Sequence, residues 1–200
     1  AVDNMPGMAS AIAPWLARVG EFKQRVGLPV FHAARITDIA TARYAITENL
    51  LDLVAMTRAH IADPQIVNKL SAGQEERIRP CVGATHCMSA NRPTCLHNPA
   101  AGRELQLPQV IAPCDKPGRR IVVVGGGPAG LEAARVSAER GHQVILFEAA
   151  SQPGGQLLIA STGSWRADLA AVIDWRVGEI TRLGVELRTD TLAGPDDVPR

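Results

Sequence analysis

The feature that most constrains this chain is a glycine-rich segment that directly follows a run of β-forming residues. Ile121–Val124 predicts a strand, and Gly125, Gly127 and Gly130 then follow at the spacing G-x-G-x-x-G before an alanine-rich helix. Gly125 permits the sharp turn, Gly127 leaves room for phosphates, and Gly130 lets the helix lie close to the strand. Since the start of a helix attracts anions, we expect a parallel α/β domain that binds a dinucleotide here.

An acidic residue and a second glycine pair refine the choice of nucleotide. Glu148 follows the next predicted strand, Gln143–Phe147, at the roughly 20-residue distance expected for hydrogen bonding to a ribose hydroxyl. This favours FAD or NAD over NADP. Gln152–Leu157 contains a glycine pair that resembles the second pair of two-dinucleotide-binding flavoproteins, although a simple tight turn is the alternative. The predicted FAD contacts are Gly125, Gly127, Pro128, Ala129, Gly130, Glu148, Gly155 and Gln156.

Composition and charge exclude several classes of partner. Two hundred residues, of which 46% are hydrophobic, suit one domain or parts of two. The net charge of +1 is spread without basic blocks, so no nucleic acid or anionic membrane partner is expected. No apolar stretch approaches the roughly 20 residues that span a bilayer, and the N-terminus lacks a signal-peptide pattern. We expect a cytoplasmic protein with a small-molecule partner.

The N-terminal part alternates between helical and strand patterns. Because such alternation demands a parallel sheet, either open or closed into a barrel, short apolar strands are expected to be buried on both faces. The predicted elements are a helix from Ser10 to Gly27, a strand at Pro29–Ala34, a helix from Ile39 to about Asn49 with Asp38 as its cap, a strand at Leu51–Met56, and a helix opening at Asp63–Pro64.

An arginine comes soon after each of these two strands, where α/β proteins place their ligand loops. Arg35 and Arg58 follow the carboxyl ends of adjacent strands and can therefore bind one phosphate together. In a (β/α)₈ barrel the usual phosphate site follows strands seven and eight, so these strands are predicted to be the last two of a barrel. The alternative is a pair of solvated surface arginines.

A cysteine-containing segment separates the two parts of the chain. Pro80–Glu104 has no periodicity and predicts a loop, and the proline-containing Leu105–Gly118 predicts a linker. Cys81, Cys87 and Cys95 lie close enough along the chain to converge on an iron–sulfur cluster. Zinc bound by these cysteines with a histidine, or thiols without metal, are the alternatives that remain open. Cys114 lies in the linker, where no motif recommends it as a ligand.

Three segments resemble a known family. Leu28–Asp38, Asp52–Pro64 and Ile78–Gly83 are similar to the end of the barrel in old yellow enzyme relatives that include trimethylamine dehydrogenase and 2,4-dienoyl-CoA reductase. They look closest to the N-methylproline demethylase and dimethylamine dehydrogenase-like branch. In that family a barrel carries FMN, a cysteine loop carries a [4Fe-4S] cluster, and a following domain binds FAD or ADP. The resemblance covers nearly the whole chain.

The resemblance assigns further site residues. It implies that Arg35 and Arg58 hold the FMN phosphate, and that Ala34 and Thr57 lend backbone amides to it. It also implies that the three cysteines named above ligate the cluster. The family has a further cysteine three residues after the first, where this chain has Ala84.

The missing cysteine leaves the fourth position of the cluster open. His86 or His97 is then the candidate fourth ligand, unless one iron remains without a protein ligand. The stretch from Cys87 to Cys95 is also shorter than in the family, whereas the closing element Cys95–Pro99 matches it well.

The expected organisation is an incomplete α/β protein. Residues 1–78 are predicted to be the C-terminal end of an FMN-binding TIM barrel, 79–118 the cysteine loop and linker, and 119–200 a truncated Rossmann-like FAD/NAD(P)-binding domain. Both chain ends read as cut, which predicts a piece of a longer protein. Two strands cannot close a barrel, so their apolar faces should be exposed or collapsed.

The function that the resemblance implies is a flavin-dependent oxidoreductase. It would demethylate a small amine or reduce an enoyl or enone substrate, with electrons relayed between FMN, the cluster and FAD. NAD(P)H or an electron-transfer flavoprotein is the implied partner, and a homo-oligomer is allowed. No catalytic residue is nominated, because the family's substrate contacts come mainly from earlier strands. The alternative is a non-catalytic dinucleotide-binding module whose cysteine loop holds structural zinc or no metal.

Overall fold

The computed structural model describes residues 5–88, 93–116 and 118–197. The chain divides into two compact units, Ala1–Gln109 and Val110–Arg200, and this boundary falls inside the predicted linker. Each unit has its own parallel sheet. The sequence features predicted at the two chain ends, in the middle of the cysteine loop and at the linker residue Pro117 lie partly outside the described residues.

The first unit alternates helices and strands in the predicted order. Its two strands pair in parallel, with Phe31 opposite Leu53 and His32 opposite Val54. The elements are α1 (Leu16–Lys23), β1 (Phe31–His32), α2 (Ile39–Thr47), β2 (Leu53–Val54), α3 (Thr57–Ala62) and α4 (Ile66–Ser71).

The sheet of the first unit is covered on one face only. Its core consists of Ala13, Leu16, Val30, Ile36, Ala45 and Leu51, which helices and strands contribute together. On the strands themselves, Phe31 is 65% exposed and Leu53 is 55% exposed. The prediction that both strand faces are buried is therefore wrong, whereas the expectation that a strand pair leaves an apolar face exposed is confirmed.

The start of α2 agrees with the prediction, whereas the start of α1 does not. Asp38 caps α2 as predicted, because its carboxylate accepts a hydrogen bond from the Thr41 amide at 2.7 Å. Helix α1 starts at Leu16 instead of near Ser10, so its predicted start was wrong. Ala13 has a φ of 45°, which is not helical, and its amide donates to the Arg35 carbonyl at 3.1 Å. A contact with a distant residue therefore displaces the helix start.

Asp63 does not begin a helix, although the sequence predicted that a helix opens at Asp63–Pro64. A short helix, α3, ends just before it, and the next helix starts at Ile66. The Asp63 carboxylate is 4% exposed and accepts hydrogen bonds from the Gln65 amide at 2.9 Å and the Arg79 amide at 2.8 Å. It also pairs with Lys69 at 2.5 Å. Asp63 thus fastens α4 to the segment that leads into the cysteine loop.

The second unit is a three-stranded parallel sheet in the order β3-β4-β5. The ends of its strands are aligned, because Val124 pairs with Phe147 and Phe147 pairs with Arg188. The predictions of β3 and β4 are confirmed to within one residue, and the predicted alanine-rich helix after the glycine loop is α5. The elements are β3 (Arg120–Val124), α5 (Pro128–Glu139), β4 (Gln143–Phe147), α6 (Gln156–Ala160), α7 (Ala170–Arg182) and β5 (Glu186–Arg188).

Helices α5 and α7 are joined by charged side chains that the sequence analysis did not predict. Arg135 pairs with Glu132 at 2.9 Å and also with Glu139, all on α5. Arg176 of α7 reaches Glu132 at 3.0 Å. Because both arginines are buried, their charges are matched by carboxylates rather than by water.

None of the described helices is long and apolar enough to cross a membrane.

Candidate functional site

The glycine loop turns sharply after β3 and leaves open space at the start of α5. Gly125 turns the chain after β3 with a φ of +96°, and its amide donates to the Phe147 carbonyl at 2.7 Å. A Cβ at Gly130 would lie 1.9 Å from the Gly125 carbonyl oxygen, so only glycine allows α5 to approach this closely. A Cβ at Gly127 would meet no atom within 4 Å among the described residues. Open space therefore lies in front of the helix start, and no side chain caps that end.

Glu148 lies beside this loop and is oriented by backbone amides. Its Oε2 accepts a hydrogen bond from the Gly126 amide at 2.7 Å, and its Oε1 accepts one from the Ala150 amide at 2.8 Å. Each carboxylate oxygen keeps further acceptor capacity, which a ribose hydroxyl can use. A Cβ at Gly126 would lie 3.0 Å from Glu148 Oε2. The pattern G-x-G-x-x-G does not specify residue 126, and the signal for a glycine there is the run of three glycines, Gly125–Gly127.

The second glycine pair packs against the first loop. The Gly154 amide donates to the Gly126 carbonyl at 2.8 Å. A Cβ at Gly155 would lie 3.4 Å from Gly127 Cα, and Gly155 has a φ of +52°. Gln156 then starts α6. The pair thus packs directly on the glycine loop, which a simple turn does not require.

The three cysteines of the predicted cluster line one pocket in the first unit. All of them are free thiols. The pocket lies between α3 and the loop that follows Pro80, and Ala84 is part of its wall. Its lining residues are Arg58, Ile61, Pro80, Cys81, Val82, Gly83, Ala84, Thr85, His86, Cys87, Cys95, Leu96 and His97.

Burial and neighbouring charges act on these thiols in opposite directions. Burial raises the pKa of Cys81. A hydrogen bond from the Gly83 backbone and the positive charge of Arg58 lower it, but burial is the larger effect. Burial and the nearby Cys95 raise the pKa of Cys87, and Arg58 again lowers it. Metal binding here would have to displace protons from these thiols. Within residues 5–88, 93–116 and 118–197, no group of three or more His, Cys, Asp and Glu side chains is arranged to hold a metal ion.

The two histidines of the pocket differ in their surroundings. His97 is 1% exposed, and its Nδ1 lies 3.0 Å from the Pro80 carbonyl oxygen. A carbonyl only accepts hydrogen bonds, so Nδ1 carries the proton and the lone pair of the neutral ring is on Nε2. The His97 amide also donates to Cys95 Sγ at 3.3 Å. His86 lies in an exposed 3-10 turn, His86–Met88.

The two arginines contact the same loop from different positions. Arg35 is 5% exposed, which excludes the solvated surface alternative for this residue. A Cβ at Gly83 would lie 3.2 Å from Arg35 Nε, so the guanidinium packs against the loop at a glycine. Arg58 lines the cysteine pocket, and its Nη1 donates to the Pro6 carbonyl at 2.9 Å. The sequence analysis did not predict that Arg58 faces the cysteines.

The backbone around Arg35 is strained. Ala34 and Arg35 have φ values of 74° and 59°, in the left-handed region that non-glycine residues seldom adopt. Such strain is concentrated at functional sites, where the surrounding structure holds it in place. Thr57, the other residue predicted to lend an amide, is exposed at the first position of α3.

Cys114 is separate from this group. It belongs to the second unit, where its amide donates to the Arg140 carbonyl at 2.8 Å. A hydrogen bond from the Lys116 backbone lowers the pKa of its thiol, and so does Arg140. Cys114 thus serves as a reference thiol outside the cysteine pocket.

The chain is similar to known proteins over nearly its whole length. Residues 123–183 match the NAD(P)-binding Rossmann-like domain family. The chain is 55% identical, over 99% of its length and 29% of the relative's, to the multifunctional alkene reductase/demethylase OYE of Caballeronia cordobensis. It is 46% identical, over 96% of its length and 30% of the relative's, to "Probable N-methylproline demethylase" of Rhizobium meliloti.

A solved structure is similar over nearly the same extent. The 6-hydroxypseudooxynicotine amine oxidase of Pseudomonas geniculata N1 matches with a TM-score of 0.89 and 33% identity, over 97% of this chain and 30% of that one. The chain thus spans about 30% of the length of the proteins that it matches.

Proposed function

We propose that this chain, which belongs to the old yellow enzyme-like family of flavin-dependent oxidoreductases, is the electron-transfer part of a larger enzyme. That enzyme would demethylate small amines or reduce activated alkenes. One observation carries the proposal: a single chain combines a dinucleotide loop with a pocket lined by three cysteines. The names of two relatives, an alkene reductase/demethylase and an N-methylproline demethylase, supply the substrate classes.

FAD is the nucleotide that the second unit would hold. The amides at the start of α5 would bind its pyrophosphate, in the space that Gly127 leaves open. Glu148 would accept hydrogen bonds from the adenosine ribose, because the amides of Gly126 and Ala150 already orient its carboxylate. A carboxylate at this place disfavours a 2′-phosphate. The flavin would supply the redox chemistry, and the protein its position and electrostatic surroundings.

The FMN phosphate would be held at the end of β1. Arg35 is buried there on a strained backbone, and the amide of Ala34 precedes it. Arg58 and the amide of Thr57 would complete the site from the first turn of α3. In this arrangement the first unit is the end of the FMN-binding barrel.

The donor types in the cysteine pocket, three cysteines and two histidines, suit an iron–sulfur cluster with an incomplete cysteine set, although no described group is arranged around a single metal ion. Cys81, Cys87 and Cys95 would each bind a different iron as thiolates, and the cluster would supply one-electron transfer. Of the two histidines, His97 fits a fourth ligand better, because its Nδ1 donates to a backbone carbonyl in the manner of metal-bound histidines. NAD(P)H or an electron-transfer flavoprotein would be the partner, and the homo-oligomer stays a prediction.

The proposal is tested on the full-length protein that contains this chain, purified without oxygen. We expect bound FMN and FAD, iron and acid-labile sulfide, and bleaching of the flavin absorbance by N-methylproline or dimethylamine. Reduction of an enone with NAD(P)H as donor would identify the alkene reductase instead. A colourless protein that contains zinc would support the non-catalytic dinucleotide-binding module and overturn the proposal.

Replacement of Glu148 by glutamine tests the ribose contact. The amide retains one acceptor oxygen, and its NH₂ group would face a backbone amide that also donates. Because hydrogen bonds to charged groups contribute about 1.5–3 kcal/mol, FAD or ADP affinity should fall roughly 10- to 100-fold. Isothermal titration with ADP measures this change.

The matched control is Glu186→Gln on β5. This side chain is exposed and pairs with Arg188 at 2.5 Å, so ADP affinity should stay at the wild-type value. Equal losses in the two variants would mean that general electrostatics, not the ribose contact, determines the affinity.

A further inference from the structure

Arg58 connects the end of β2 to the cysteine pocket. It lies in the first turn of α3 and forms part of the pocket wall together with Cys81 and Cys87. Its Nη1 donates to the Pro6 carbonyl at 2.9 Å. Since an arginine remains protonated at any physiological pH, a permanent positive charge belongs to the same pocket wall as the three cysteines.

The segment that anchors Arg58 packs against the cysteine loop. A Cβ at Gly7 would lie 3.3 Å from Thr85 Cγ2, and one at Gly83 would lie 3.5 Å from the Met8 amide nitrogen. Pro6, which accepts the hydrogen bond from Arg58, is buried. The guanidinium is therefore held by a segment that itself packs on the cysteine loop, and Arg58 is only partly exposed.

We infer that Arg58 is a positioning residue of the cysteine site, and that its guanidinium raises the reduction potential of the cluster bound by Cys81, Cys87 and Cys95. This inference rests on the proposed function, because it presupposes the cluster. It assigns Arg58 a role that phosphate binding does not include. Arg35 has no such role, because it packs on Gly83 and is not part of the pocket wall.

A positive charge beside the cluster would raise its reduction potential. Reduction adds one electron to the cluster, and a nearby cation stabilises the more negative state. The partial burial of the pocket weakens screening by water and salt, so the effect of one charge is larger than at the surface.

The test compares Arg58→Gln, Arg58→Lys and Arg35→Gln in the full-length protein. Iron, sulfide and FMN contents are measured first. The cluster potential is then determined by dithionite titration with redox mediators, followed by electron paramagnetic resonance. We expect a more negative potential in Arg58→Gln, a value near wild type in Arg58→Lys, which keeps the charge, and an unchanged potential in Arg35→Gln despite its loss of FMN.

The outcomes separate the inference from the proposed function. Arg58→Gln with full iron and an unchanged potential would overturn the inference and leave the function intact. Equal shifts in Arg58→Gln and Arg35→Gln would also overturn it, because the effect would then act through the FMN site. Loss of iron from Arg58→Gln with retention in Arg58→Lys would support it. A wild-type protein without iron would overturn the cluster itself, and the inference with it.

Discussion

Replacing Gly130 by alanine is expected to lower the FAD affinity of the second unit by at least roughly 100-fold, because two or more hydrogen bonds to the pyrophosphate, each contributing about 1.5–3 kcal/mol, would lose their geometry. The added Cβ would lie 1.9 Å from the Gly125 carbonyl oxygen. This oxygen belongs to the backbone of the turn, so no side-chain rotation relieves the clash. Either α5 moves away from β3 or the turn at Gly125 changes.

Stability should fall as well. Overpacking in a tightly packed interior costs typically about 1–3 kcal/mol, and Gly130 packs directly on the turn. Flavin fluorescence released on dilution measures the affinity, and chemical denaturation followed by circular dichroism measures the stability. Both quantities are predicted to change in the same variant, because one clash affects the helix and the binding loop together.

Gly178→Ala in α7 is the matched control for this prediction. Gly178 also lies within a helix, but a Cβ there would meet no atom within 4 Å among the described residues. Since alanine is the better helix former, this variant should be stabilised by roughly 0.5–1 kcal/mol and should bind FAD normally. FAD binding by Gly130→Ala at the wild-type level would contradict the role assigned to the glycine loop.

Replacing Cys81 by serine is expected to remove most of the iron and sulfide from the full-length protein. Cys81 is one of only three family-matched cysteines, and Ala84 already occupies the position of a fourth. A cluster that has lost another thiolate would keep two cysteine ligands, which is fewer than such clusters normally have. The charge-transfer absorbance of the cluster should disappear, while FAD stays bound in the second unit.

Cys114→Ser is the control for general effects of thiol loss. Cys114 belongs to the second unit and is not part of the cysteine pocket. This variant should keep its iron, sulfide and spectrum. If Cys81→Ser retained iron at the wild-type level, or if zinc were recovered instead, the cysteine pocket would not be an iron–sulfur site.

Predictions that depend on residues close in sequence were correct, and predictions that depend on distant contacts were wrong. The strand Gln143–Phe147 and the cap at Asp38 were predicted correctly, because hydrophobic pattern and side-chain capping act within a few residues. The start of α1 was predicted wrongly, because Ala13 is bound to Arg35 and takes a non-helical conformation. Burial of β1 and β2 on both faces was also predicted wrongly. Burial depends on which other elements cover a strand, and the pattern of one strand does not contain that information.

The order of helices and strands, and the place of Gly125, Gly130 and Glu148 in one βαβ unit, could be predicted from residue patterns. These follow from backbone preferences and from the geometry of that unit. Which groups meet could not be predicted, because it depends on the packing of distant segments. Arg58 binds the carbonyl of Pro6, 52 residues earlier, and so faces the cysteines. Glu148 binds the amide of Gly126, 22 residues earlier. Such contacts depend on how distant segments pack, and the identity of a residue alone does not specify its partner.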